Sequence, residues 1–192
     1  MGKKRASGRV WIARSAQHQS AEGVEWSRAN ASAAGPKEAV AAADVVVLAT
    51  PWGAAQDAID SAGDLAGKIL IDCTNPLKPD LTGLVIGHST SAAETVAGWA
   101  KGARVVKAFN TTGADNMANP IYNGQKASMF ICSNDTEARS VVAELAKDLD
   151  FDVVDCGPLT AARYLEPLAM LWIHLAFSQG FGLDFAFKIL RR

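Results

Sequence analysis

Two short runs limit what this chain can fold into more than any other feature. Residues 44–49 read Asp-Val-Val-Val-Leu-Ala, and residues 68–73 read Lys-Ile-Leu-Ile-Asp-Cys. Both are rich in β-branched or branched side chains, short for helices, and apolar through the middle instead of at alternate positions. A strand of that kind is covered on both faces, as in a parallel sheet layered between helices. Four further runs suit the same sheet, at 9–13, 104–109, 127–132 and 152–155, and Ala-rich stretches separate them. Pro36 opens a helix over 37–43, since proline at a first helical position removes no needed N–H. Ser91 with Glu94 is a capping-box pair ahead of a helix over 95–100, and Asn134 with Glu137 starts another that ends near Leu149. This alternation predicts a doubly wound α/β fold. From about Leu159 only helical pattern remains, which predicts a helical tail over 161–189. The expected division is a sheet domain over 1–158 and a C-terminal helical segment over 159–192, with the Ser- and Ala-rich stretch 17–34 as a loop.

Charge and cysteine usage narrow the partners. Nineteen basic residues face twenty acidic ones, a net charge of −1, so no positive excess draws the chain to nucleic acid or to an anionic membrane surface. A small molecule or a second copy of the chain is the expected partner. Cys73, Cys132 and Cys156 are odd in number, form no CxxC pair and sit in apolar surroundings, which predicts reduced thiols and a cytoplasmic setting. The basic stretch 1–7 has no apolar run behind it, so no secretory leader is expected. The apolar stretch 165–187 is broken by Glu166, His174, Gln179 and Asp184, and reads as a buried helical segment instead of a membrane span.

Doubly wound sheets bind ligands at the C-terminal ends of their strands. Here those ends read Arg14-Ser15, Thr50-Pro51-Trp52, Thr74-Asn75-Pro76 and Asn110-Thr111-Thr112-Gly113. Arg14 and Ser15 suit a ribose 2′-phosphate, because a guanidinium forks onto phosphate oxygens where an acid would take a free hydroxyl; the alternative is a surface arginine. Trp52 offers a flat wall to a ligand or packs on the following helix. Asn75 hydrogen-bonds a ligand or merely starts an Asn-Pro turn. Thr111 and Thr112 suit a helix N-cap, which is compatible with a site.

At these four ends the sequence resembles a known family. The segments 45–52 (Val-Val-Val-Leu-Ala-Thr-Pro-Trp), 70–76 (Leu-Ile-Asp-Cys-Thr-Asn-Pro), 105–111 (Val-Val-Lys-Ala-Phe-Asn-Thr) and 156–159 (Cys-Gly-Pro-Leu), with 165–174 (Leu-Glu-Pro-Leu-Ala-Met-Leu-Trp-Ile-His), are similar to the NADPH-dependent coenzyme F-420 reductase-like family. The likeness runs from about Gly8 to the C-terminus. It implies a Rossmann-type fold that binds NADP(H) through Arg14, Ser15, Thr50, Pro51, Trp52, Asn75, Pro76, Asn110 and Ala114. It implies hydride transfer between the nicotinamide and a deazaflavin such as coenzyme F-420, a flavin-like ring or another small acceptor. Family members begin with a strand and a Gly-x-Gly-x-x-Gly turn; here Gly2 matches the last glycine of that turn, so the sheet is expected to lack its first strand. The strand ladders so exposed are expected to leave the chain marginally stable, to close by local repacking or to pair with another chain, since unpaired buried backbone groups are costly.

Two other functions stay open at this level. One is a non-catalytic or inactive protein that has lost its phosphate cradle. The other is a reductase of the same superfamily with a metal complex or an imine as acceptor. No catalytic acid or base and no metal site is assigned. His174 reads as a satisfied core or interface residue, and Trp172, Phe177, Phe181, Phe185 and Phe187 read as core or dimer packing. Self-association is expected through exposed strands or the C-terminal helix. Asp72 and Asp155 are strand residues without an evident partner.

Overall fold

A computed structural model describes residues 10–13 and 33–192. The Gly2 turn and nearly all of the 17–34 loop lie outside those residues.

The six strands read from sequence form one layer. Val10–Ala13 (β1), Val45–Leu48 (β2), Ile69–Asp72 (β3) and Arg104–Lys107 (β4) make a parallel sheet in the order β1-β2-β3-β4. Ser128–Ile131 (β7) and Asp152–Asp155 (β8) pair in parallel, and an antiparallel bridge between Lys107 and Cys132 joins the two sets. The β1 and β2 ladders are matched residue for residue, Val10 on Val45 through Ala13 on Leu48. Two strands of the same direction satisfy each other's backbone groups and leave no gap between them.

Burial explains why the strands are apolar throughout. Val46, Leu48 and Leu70 face one core with the helices Pro36–Ala41 (α1), Ala55–Ala62 (α2), Ala92–Trp99 (α3) and Ala162–Ile173 (α5). Val45, Ile69, Ile71 and Val106 face a second core with Thr136–Asp148 (α4), which contributes Ala138, Val142 and Ala146. Helices therefore cover both faces, and the fold is a doubly wound α/β sheet.

The caps follow the sequence with one change. Ser91 Oγ accepts from the Glu94 N–H at 3.1 Å and donates to the Glu94 carboxylate at 2.8 Å, so α3 starts at Ala92, earlier than expected. The α4 cap is Asp135, which accepts from the Ala138 N–H, and not Asn134. Asn134 Oδ1 is already used by the Leu159 N–H at 3.0 Å.

The helical tail is shorter than the pattern predicts. After α5 a single π turn covers His174–Ser178, and the residues from Gln179 onward are not helical. Gly180 and Gly182 take φ of 73° and 74°, a conformation that ends a helix. The chain then runs back along the molecule. The Trp172 indole donates to the Phe185 carbonyl at 2.9 Å, Asn116 Nδ2 donates to the carbonyls of Leu183 and Phe185 at 3.0 Å each, and the Ser128 N–H bonds Phe187 O. Sheet and loop groups thus take up the tail's backbone, which a helix would have satisfied internally.

A hairpin of Ile121–Tyr122 (β5) and Gln125–Lys126 (β6) was not expected. Its turn is Asn123-Gly124, with φ of 49° and 79°, the dipeptide that two-residue hairpins favour. Among the described residues, no helix is long and apolar enough to cross a membrane.

Candidate functional site

The C-terminal ends of β2, β3 and β4 open into one pocket of about 1250 Å³. Thr50, Pro51 and Trp52 come from the end of β2, Cys73, Thr74 and Asn75 from β3, and Phe109, Asn110, Thr112 and Ala114 from β4. Leu77, Pro79, Leu81 and Val85 form one wall, and Leu145 and Leu149 at the end of α4 form another.

The structure thus brings six of the predicted site residues together: Thr50, Pro51, Trp52, Asn75, Asn110 and Ala114. Pro76 does not line the pocket; it is buried, and its carbonyl accepts from the Val85 N–H at 2.7 Å, bracing the wall from behind. Arg14 and Ser15 lie outside the described residues. Trp52 meets a partner other than the helix that follows it. It lines the pocket and stacks on Trp99 of α3, centroids 5.2 Å apart and planes 23° off parallel.

The pocket floor holds polar groups that lack partners. Asn75 and Asn110 bond each other: Asn75 Nδ2 donates to the Asn110 carbonyl at 2.9 Å, and Asn110 Nδ2 donates to Asn75 Oδ1 at 2.9 Å and to the Leu165 carbonyl at 3.3 Å. Among the described residues, Asn110 Oδ1 and the Thr50 hydroxyl have no hydrogen-bond partner, although these residues are only 5% and 6% exposed. Buried polar atoms are rarely left unpaired, because each such loss costs about 1–3 kcal/mol. Just before Asn110 the backbone turns sharply, with Phe109 at φ 60°, a strained value for a bulky residue. Strain of that kind persists only where the surroundings hold it, and here it swings Asn110 to the floor.

Directly beneath lies a buried ion network that the sequence reading missed. Lys107 Nζ is 3.0 Å from Asp72 Oδ2, 3.1 Å from Glu166 Oε1 and 2.5 Å from the Thr74 carbonyl. Glu166 also accepts from the Ala92 and Ala93 N–H groups at 2.9 and 3.1 Å, which satisfies the first turn of α3. Asp72 Oδ1 accepts from the Thr74 N–H and hydroxyl. Burial alone would lower the Lys107 pKa, but the two carboxylates outweigh it and hold the ammonium above its ordinary value. Burial pushes Glu166 up against the opposing pull of Lys107 and the two N–H groups, as expected where one ammonium faces two carboxylates. The Cys73 thiol is pushed up to about 12 by burial and by neighbouring Asp72, so it stays protonated and is no nucleophile. The sequence signal was present: Asp72, Lys107 and Glu166 are each a lone charge in an apolar run. Asp155 also has a partner, Arg139 Nε at 2.9 Å.

The remaining expectations concern the C-terminal segment. His174 is exposed and sits 3.2 Å from Gln179 Nε2, so it is not a core residue, and it does not line the pocket. Trp172 stacks on Phe185 at 5.0 Å, with Phe181 and Phe187 edge-on to Phe185; this is packing, not pocket wall. Phe177 stands apart from it and is exposed.

Comparison with known proteins gives these strand ends a context. Residues 2–76 match the family model described as NADP oxidoreductase coenzyme F420-dependent. The F420-dependent NADP reductase of Methanocaldococcus jannaschii is 32% identical over 148 residues, which cover 72% of this chain and 65% of that protein. The metalloreductase STEAP3 of Rattus norvegicus is 33% identical over 137 residues, covering 70% of this chain and 27% of that one. The chain therefore spans less than two thirds of the length of either relative. A crystal structure from Arthrobacter sp. FB24, provisionally named an F420-dependent NADP reductase, superposes with a TM-score of 0.75 at 37% identity and covers 82% of this chain and 74% of its own.

Proposed function

We infer the function from one premise: this chain belongs to the NADP oxidoreductase coenzyme F420-dependent family. We propose that its strand-end pocket takes the nicotinamide half of NADP(H), with a second flat substrate beside it. The observation that carries this reading is that two pocket-lining residues, Thr50 and Asn110, each hold a buried side-chain oxygen, Oγ1 and Oδ1, with no partner among the described residues. They call for a ligand that brings N–H or O–H donors, as a carboxamide and ribose hydroxyls do. The volume of about 1250 Å³ exceeds what one drug-sized molecule needs and suits a cofactor end plus an acceptor.

The cofactor, when bound, supplies the hydride chemistry. The chain's own residues supply position and dryness. Asn75 and Asn110 orient the polar edge of the ring, and Thr50 takes one further donor. Ala114 leaves room for two planes to approach, while Trp52, Leu81 and Val85 exclude water from their faces. No side chain is assigned as acid or base, because hydride transfer between two rings needs little proton traffic. The apolar wall Leu77–Pro79–Leu81–Val85 favours a deazaflavin or flavin-like ring over a hydrated metal complex as acceptor. Arg14 and Ser15, next in sequence after the last residue of β1, are proposed to select the 2′-phosphate. Self-association through the C-terminal helix belongs to the same proposal, supported by the exposed Leu171 and Phe177.

The test is a fluorescence titration of the folded chain with NADPH, with NADH in parallel, followed by reduction of coenzyme F-420 at saturating NADPH. Saturable binding that prefers NADPH is the expected result. A folded chain that binds neither nucleotide overturns the proposal and favours a non-catalytic protein.

A further inference from the structure

Glu166 lies outside the pocket, yet its contacts lead to both asparagines on the floor. Its carboxylate holds Lys107 Nζ at 3.1 Å, and the same ammonium holds the Thr74 carbonyl, one residue before Asn75. Leu165, the residue before Glu166, gives its carbonyl to Asn110 Nδ2. Helix α5 thus reaches Asn110 directly and Asn75 through Lys107. The other Glu166 oxygen bonds the Ala92 N–H, so α5 cannot shift without breaking the start of α3.

We infer that Glu166 is a positioning residue: through Lys107 and Thr74 on one side and the adjoining Leu165 carbonyl on the other, it sets the geometry of the Asn75–Asn110 pair. The consequence for binding rests on the reading of the pocket as an NADP(H) site; the positioning itself does not. Apart from the Leu165 carbonyl, no other group described on α5 reaches the pair. Arg163 turns outward to Glu94 with a two-pronged pair at 2.9 and 2.6 Å, and Leu168 packs only in the apolar core. The network contains one cation between two carboxylates, so replacing Glu166 by its neutral amide changes the pull on Lys107 with little change in shape.

The experiment compares three full-length chains: wild type, Glu166→Gln and Leu168→Ala, the last a control that loosens α5 without touching the network. The first readout is the side-chain amide spectrum of the unliganded chains by nitrogen–proton NMR. Glu166→Gln is expected to displace the Asn75 and Asn110 Nδ2 signals and to leave that of Asn134 in place, while Leu168→Ala moves none of the three. The second readout is NADPH titration, where Glu166→Gln is expected to bind about tenfold more weakly than wild type. If both asparagine signals stay in place in Glu166→Gln, the inference is overturned, whatever the titration shows. If they move while wild type binds no NADPH, positioning stands and the functional reading falls. Should Glu166→Gln not fold, Glu166→Asp serves in its place, since it keeps the charge but withdraws it by one methylene.

Discussion

Two groups of buried polar atoms lie one above the other at the strand ends, and they differ in completeness. In the lower group, around Lys107, each charge has a counter-charge or a hydrogen bond within 3.1 Å. In the upper group, Thr50 Oγ1 and Asn110 Oδ1 have none among the described residues. Both groups are hidden from water and lost its hydrogen bonds, the charges below at greater cost than the neutral groups above. The lower group recovered that loss within the chain. The upper one does not, and on the proposed function a bound NADP(H) would recover it. A full network answers to stability and a deficient one to binding, and substitutions in the two should separate along that line.

The largest expected effect is on the lower group. Lys107→Met leaves the Asp72 and Glu166 carboxylates buried beside each other with no cation, and the cost of breaking such a cluster is about 3–5 kcal/mol. Urea unfolding of the purified variant measures it. Stability within 1 kcal/mol of wild type, by the rough scale of a surface substitution, would remove the contrast drawn here.

The upper group should respond with opposite signs in two assays. Thr50→Val removes a buried hydroxyl that has no partner and keeps the shape, so the unliganded chain is expected to gain about 1 kcal/mol or stay level. The same change is expected to weaken NADPH binding about tenfold. Asn110→Ala should weaken binding further, since it also breaks the bond to Asn75, and should lower stability by about 1 kcal/mol. Thermal melts with and without NADPH read both quantities from one sample. If Thr50→Val destabilises the free chain and leaves binding unchanged, Thr50 is structural and the comparison fails at its upper half.

The same division explains what the sequence disclosed. The sheet was legible because its strands carry their own evidence: a run such as Val45–Leu48 is apolar on both faces whatever it pairs with. The strand ends were legible for the same reason, so six of the proposed site residues could be named and then found around one pocket. The lower network was legible only as three lone charges in apolar runs, not as a set. Asp72 and Lys107 are 35 residues apart, and Ala92 and Glu166 are 74 apart, so no local pattern joins them. Pro76 was misplaced because an Asn-Pro pair does not tell which of its two residues faces the ligand. The end of α5 was missed because apolar periodicity carried through Gly180 and Gly182, and it is the backbone at those glycines that ends the helix. The hairpin at Asn123-Gly124 was open to view, since that dipeptide is a turn signal in its own right.

The smallest effect sharpens the comparison by setting two carboxylates against each other. Glu94 lies at the surface in a forked pair with Arg163, whose hydrogen bonds hold its pKa below the ordinary 4.5. Glu166 lies in the buried network, where desolvation holds its pKa above the ordinary 4.5. The linked stabilities therefore run in opposite directions. Glu94 binds its proton less readily in the folded chain, so its contribution is present above pH 4.5 and fades as pH falls through the folded value. Glu166 binds its proton more readily when folded, so its contribution is full below pH 4.5 and fades as pH rises through the folded value. Carboxyl-carbon NMR titration reads both midpoints directly, with Glu94 expected below 4.5 and Glu166 above it. Arg163→Met should bring the Glu94 midpoint back toward 4.5 and leave that of Glu166 where it was. The change in overall stability from that substitution should be slight, because a part-exposed pair is screened by solvent. A Glu166 midpoint below 4.5 would mean that Lys107 and the Ala92 and Ala93 N–H groups outweigh burial.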